Sequence, residues 1–225
     1  MKYLFDTANI DLIEKYANSL PIAGITTNPS IIKKEGKIDF FAHFNKIRAI
    51  IGKKKTLHIQ VTCNSSEEII KEACTIYDKI DNDVYIKIPV TIEGLDAIAK
   101  LKKANFKITA TAIYTKMQGL LAIEAGADFI APYYNRMQNL DINSDETIAT
   151  FAEVIAKYNY STQILAASFK NMYQVNQAIK NGAQTVTLAP EIMLDAFKMP
   201  SIQKAVDDFH NDWVKTIGNI SIDKL

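Results

Sequence analysis

A chain of 225 residues suits one large domain and buries roughly 70 to 75% of the surface its unfolded form exposes. With 48% hydrophobic and 23% charged residues it has the composition of a soluble globule, and 26 basic against 25 acidic residues leave a net charge of +1, which gives no electrostatic footprint for nucleic acid. No eighteen apolar residues run together to span a membrane, Asp6 interrupts the N-terminus before a signal peptide could form, and a cytoplasmic location is expected.

Eight short apolar runs are predicted as strands, each followed by helical spacing. The first is YLFDT at 3 to 7, with Asp6 at its end; the second is AGITT at 23 to 27, which carries Thr26 and leads into Asn28 and Pro29. The basic GKKKT at 52 to 56 reads as a solvated turn, and LHIQV at 57 to 61 then brings Gln60. Ser65 and Glu68 have capping-box spacing, so a helix is expected to begin there. VYIKIPV at 84 to 90 is the fourth run, and Lys87 threads an ammonium through it. KITATAIY at 107 to 114 holds Thr109 and Thr111, and Thr115 with Gln118 opens the next helix by the same capping pattern. FIAPYY at 129 to 134 contains Tyr133 and precedes Arg136, QILAAS at 163 to 168 ends on Ser168 and precedes Lys170, and TVTLA at 185 to 189 is the eighth.

Gly126 and Gly182 are placed for left-handed helix caps. The segments GADFIAP and GAQTVTLAP echo each other as a weak internal repeat. Pro29, Pro89, Pro132 and Pro190 sit within or just past alternate runs, where proline would end strand pairing. Continuously apolar strands alternating with helices imply a parallel sheet covered on its outer face. Eight such units point to an α/β fold, a single-domain (βα)8 barrel over residues 1–225, and no Gly-rich dinucleotide turn follows the first strand to favour an open sheet. Beyond the eighth unit, Ile202, Val206, Phe209, Trp213 and Ile217 make an apolar stripe on an extra C-terminal helix over 201–217. That stripe packs either on the parent barrel or on a neighbouring subunit.

Strand alternation turns Tyr85, Lys87 and Pro89 inward if Ile86 and Ile88 face the helices. Burial pushes an amine towards its neutral, nucleophilic form, fit to attack a carbonyl and make a Schiff base. The competing reading pairs Lys87 with a buried carboxylate such as Asp6, and strand position alone does not separate the two. Asp6, Thr26, Asn28, Gln60, Thr109, Thr111, Tyr133 and Ser168 supply hydrogen-bonding groups at six further strand ends. Each has a plainer role available: Asp6 as a helix cap, Asn28 as a turn former before Pro29, the threonines as strand formers. Arg136 and Lys170 at the rim suit a phosphate, or are solvated loop charges. Cys63 and Cys74 are expected as reduced thiols, and His43, His58 and His210 are scattered, so no metal site is predicted.

The segments LFDTAN, GITTNPSII, IKIPVTIEGL, TATAIY, APYYNR and AASFK, in this order and spacing, resemble the small transaldolase family, particularly its fructose-6-phosphate aldolase branch. The likeness covers nearly the whole chain. It implies a (βα)8 barrel with no metal or other cofactor, working on sugar phosphates through a Schiff base on Lys87. It further implies that Asp6 manages protons at substrate hydroxyls, that Asn28 and Ser168 hold the dihydroxyacetone oxygens, and that Arg136 and Lys170 take the phosphate. Gln60 and Thr111 would position a water that acts with Tyr133 as acid and base. The resemblance gives transaldolases Glu in place of Gln60 and Phe in place of Tyr133, so this sequence looks like the aldolases. Thr26 and Thr109 are expected among the substrate-binding residues, but Thr109 departs from both branches, whose residues there are Leu and Asn, which leaves donor preference and the balance of cleavage against transfer open. Transaldolase activity is the alternative, and a barrel that binds sugar phosphates without turnover is a third. Family members are ring-shaped homo-oligomers, implying rings of five, stacked to ten in some.

Overall fold

The computed structural model describes residues 1–225. Eight parallel strands close into a barrel in chain order: β1 (Lys2–Asp6), β2 (Ile22–Thr26), β3 (Thr56–Gln60), β4 (Tyr85–Pro89), β5 (Ile108–Ile113), β6 (Phe129–Pro132), β7 (Gln163–Ala166) and β8 (Thr185–Leu188). Pairing of β1 with β8, Lys2 opposite Thr185 through Phe5 opposite Leu188, completes the ring. The helices are α1 (Ile10–Tyr16), α2 (Pro29–Ile32), α3 (Phe40–Ile51), α4 (Ser66–Lys79), α5 (Ile92–Lys103), α6 (Lys116–Glu124), α7 (Tyr134–Asn139), α8 (Ser144–Lys157), α9 (Met172–Lys180), α10 (Pro190–Asp195) and α11 (Pro200–Ile217). None is long and apolar enough to cross a membrane.

Strand alternation divides the core in two. Leu4, Phe129 and Leu165 pack together with Tyr85 and Ala23 against them, a meeting of residues from β1, β2, β4, β6 and β7 that only the barrel interior permits. The opposite face of the strands is isoleucine-rich. Ile25, Ile59, Ile86, Ile88, Ile108, Ile130 and Ile164 have no exposed surface, and each such burial contributes about 1.5 to 3 kcal/mol. Lys87 therefore stands between two residues of the outer layer and shares the inner face with Tyr85, as its strand position requires.

Local signals act largely as the sequence leads one to expect, with three differences. Gly126 and Gly182 adopt positive φ, 86° and 104°, three residues ahead of β6 and β8. Thr115 and Gln118 form a complete capping box, whereas the Ser65 hydroxyl donates to the Glu68 carboxylate at 2.7 Å, so α4 is capped by Ser65 alone. Pro29 and Pro190 open α2 and α10 instead of ending strands, since a helix's first residue needs no N–H partner. The sixth run ends earlier than its apolar length suggests: β6 stops at Pro132, Tyr133 forms a single bridge to Ala167, and Tyr134 already begins α7.

Residues 1–190 and 191–225 form separate compact units. In the second, the extra C-terminal helix α11 exposes Ile202, Val206, Phe209 and Ile217, and the Trp213 indole donates to the Ile220 carbonyl at 2.8 Å, turning the tail back on its own helix.

Candidate active site

Lys87 lies near the C-terminal end of β4, 4% exposed. Its Nζ donates to the carbonyl oxygen of Thr27 at 2.7 Å and enters no ion pair. Burial lowers its pKa, and the Asp6 charge opposes that with a smaller effect. Three donors with one acceptor in a dry setting favour the neutral amine.

Asp6, at the end of β1, does not cap α1; Asn9 does, accepting from the Leu12 N–H. The Asp6 carboxylate instead accepts from the Thr26 hydroxyl at 2.6 Å, and Thr26 lies 2.6 Å from the hydroxyl of Thr187. A hydroxyl has one proton, so with Thr26 donating to Asp6 it is Thr187 that donates to Thr26. This chain crosses β2, β1 and β8, and barrel closure brings its members together from 161 residues apart.

On the other side, Thr111 donates to the phenolic oxygen of Tyr133 at 3.2 Å, which leaves the phenol proton free for another acceptor. Burial pushes the Tyr133 phenol up, so it keeps that proton. The Arg136 guanidinium covers the Tyr133 ring at 4.8 Å, its Nη1 donates to the Tyr114 hydroxyl at 2.9 Å, and Tyr114 meets Tyr133 edge-on. The exposed Arg136 side chain and the buried phenol are thus in direct contact.

Gln60 is the register partner of Lys87 on β3, and its Oε1 is buried without a hydrogen-bond partner. An unmatched buried acceptor costs about 1 to 3 kcal/mol. Asn28 does carry its plainer role, accepting from the Ile31 N–H at 3.1 Å as the cap of α2, while its side-chain nitrogen makes no bond within the protein. Ser168 holds φ at 65°, a left-handed conformation costly for a residue with a Cβ, and its carbonyl accepts from the Asn135 N–H. Lys170 is exposed, with its backbone N–H on Gln174.

Thr109 is fully buried, opposite Lys87 on β5, with its hydroxyl 2.8 Å from Nδ1 of His58. A hydroxyl without accessible surface is engaged by the protein itself. His58 and Thr187, with Thr56 and Thr185 two positions before them on the same strands, are interior polar residues that sequence reasoning did not assign to the site. Parity was the available signal for His58, two positions before Gln60 on the same face; Thr187 has the same inward parity on β8.

No three His, Cys, Asp or Glu side chains are arranged to hold a metal ion. A cavity of about 530 Å³ opens beside Phe40 and Phe41 of α3 and Glu72 and Ile76 of α4, and of the residues above only Gln60 lines it. Chemistry, not cavity size, marks the site: a desolvated amine, a carboxylate, a protonated phenol and an orphaned amide oxygen at the C-terminal end of a parallel barrel.

These features define a class. The chain belongs to the transaldolase/fructose-6-phosphate aldolase family, whose model matches residues 3–224, and its members are aldolases and transaldolases. Within that family it is similar to a protein of Streptococcus pneumoniae (strain ATCC 700669 / Spain 23F-1) named "Probable fructose-6-phosphate aldolase", 52% identical over 213 residues that cover 95% of this chain and 96% of the relative.

Proposed function

We propose that the protein is a cofactor-independent aldolase that reversibly cleaves fructose 6-phosphate to dihydroxyacetone and glyceraldehyde 3-phosphate through a Schiff base on Lys87. The observation that carries this reading is the Lys87 amine, buried, unpaired with any carboxylate and held by one carbonyl. The name of the 52% identical relative supports the same substrate.

In this reading the neutral amine adds to the C2 ketone, and the carbinolamine loses water to give an iminium ion. Breaking the C3–C4 bond delivers its electron pair to C3 as an enamine, while the C4 hydroxyl gives up its proton and becomes the aldehyde of glyceraldehyde 3-phosphate. Protonation of C3 restores the iminium, and water releases dihydroxyacetone and the amine. Gln60 and Thr111 hold a water beside Tyr133, whose phenol supplies and recovers protons. Asp6, fixed by Thr26, handles protons at the substrate hydroxyls, and Asn28 and Ser168 hold the dihydroxyacetone oxygens. Arg136 and Lys170 bind the phosphate. The chain works as one (βα)8 domain in the cytoplasm, with the apolar stripe of α11 on a neighbouring subunit of a homo-oligomeric ring.

A second reading, transfer of the dihydroxyacetone unit between sugar phosphates, has the same first half. Tyr133 and Gln60 favour cleavage over transfer, since an acid beside the enamine allows its protonation and release. The test is release of glyceraldehyde 3-phosphate from fructose 6-phosphate with and without erythrose 4-phosphate. Turnover without the acceptor supports the aldolase; dependence on it supports the transferase; no turnover in either leaves a sugar-phosphate binder.

A further inference from the structure

The barrel holds a polar group beneath Lys87 that the reaction above leaves unused. His58, on β3, has no exposed surface. Its Nδ1 lies 2.8 Å from the Thr109 hydroxyl and its Nε2 2.9 Å from the Thr56 hydroxyl. The ring stacks on Tyr85 at 4.7 Å and 15°, and meets Phe129 edge-on at 5.4 Å. Room for this arrangement comes from Gly24: a Cβ there would fall 2.1 Å from the Thr56 hydroxyl oxygen.

Two contacts of this imidazole, Thr109 and Tyr85, lead back to the amine. Thr109 is the register partner of Lys87 on β5, and Tyr85 precedes Lys87 by two residues on the same inner face. The His58 carbonyl accepts from the Thr27 N–H at 3.0 Å, and it is the Thr27 carbonyl that accepts from Lys87. One residue therefore spans β3, β4 and β5 inside the barrel and also anchors the Lys87 acceptor. Burial, with the Arg48 charge adding to it, holds the imidazole well below the usual histidine range, so it is neutral. A neutral ring has one N–H and one lone pair, and with a hydroxyl on each side both are satisfied. Barrel interiors are ordinarily filled by branched apolar side chains, which pack without directional bonds. A polar chain in that layer fixes one geometry, because any displacement leaves a buried group unpaired.

We propose that His58 is a positioning residue for Lys87, fixing through Thr109 and Tyr85 the strand geometry that holds the amine against the Thr27 carbonyl and aims it at the substrate ketone. This rests on the Schiff-base reading above. Thr109→Val exchanges the hydroxyl for a methyl at nearly constant shape, breaking the bond to His58, and Thr109→Ser retains it. For both variants of the full chain, kcat and KM for fructose 6-phosphate are measured together with the rate of borohydride-trapped adduct formation with dihydroxyacetone and the site of the label. Thr109→Val is expected to lower kcat and the trapping rate about tenfold with KM within about twofold, since a small misplacement of a reacting group is costly, and Thr109→Ser to restore both rates. If Thr109→Val does not fold, the double variant His58→Phe with Thr109→Val, which removes both buried partners, is expected to show the same slowing. Label on Lys87 at the wild-type rate in a folded variant lacking the bond, or failure of Thr109→Ser to rescue, overturns the positioning role. Label on another residue overturns the Schiff-base reading instead.

Discussion

The Nζ of Lys87 donates to the carbonyl of Thr27 at 2.7 Å and makes no ion pair with Asp6, although the Asp6 charge still acts on it. Of the two readings open at the level of sequence, a nucleophile or half of a buried ion pair, the geometry favours the first. Asp6 is occupied instead by Thr26.

An amine held this way is costly to bury as a cation, so function and stability should oppose each other at this position. Lys87→Met is expected to abolish adduct formation and to raise stability by about 1 to 2 kcal/mol at neutral pH, read as a higher Tm. The folded-state pKa of Lys87 lies below its unfolded value near 10.4, so in the interval between them the unfolded chain binds the extra proton. Wild-type stability contributed by this group therefore rises with pH across that interval, and the advantage of Lys87→Met should shrink as pH increases.

Gln60→Glu puts a carboxylate on the residue in register with Lys87. A nearby negative charge favours the ammonium, so the acid limb of the pH–rate profile should move to higher pH by about one unit. A profile unchanged in position would mean that residue 60 does not face the amine.

Tyr133→Phe removes the phenol whose proton burial retains. Cleavage of fructose 6-phosphate is expected to fall about 100-fold, with transfer to erythrose 4-phosphate falling much less, because transfer does not require protonation of the enamine. Equal rates of cleavage in the variant and the wild type would remove Tyr133 from the reaction.

Arg136→Gln separates the phosphate from the rest of the substrate. The variant should raise KM for glyceraldehyde 3-phosphate in the synthetic direction by about tenfold or more and leave unphosphorylated glyceraldehyde within about threefold. Because Arg136 also lies over the Tyr133 ring, a loss with both aldehydes would assign it to holding the phenol and not to the phosphate.

The barrel was legible because each strand carries its own apolar run and parity assigns the faces: Ile86 and Ile88 bracket Lys87 as their alternation requires. Where adjacent signals compete, boundaries moved. Tyr133 and Tyr134 extend the sixth run by composition, yet the chain turns there into α7. Long-range pairings were the hidden part. Nothing near Thr187 in sequence announces Thr26, and His58 looks like an isolated histidine until folding brings Thr109 to it from 51 positions away. The departure at Thr109 becomes intelligible only with that partner, since a buried hydroxyl there needs one.

Borohydride reduction of the protein with dihydroxyacetone, followed by peptide mass spectrometry, probes the buried amine most directly. A single adduct on Lys87 is expected, lost in Lys87→Met. An adduct on any other side chain, or none in protein that turns over fructose 6-phosphate, would contradict the Schiff-base chemistry.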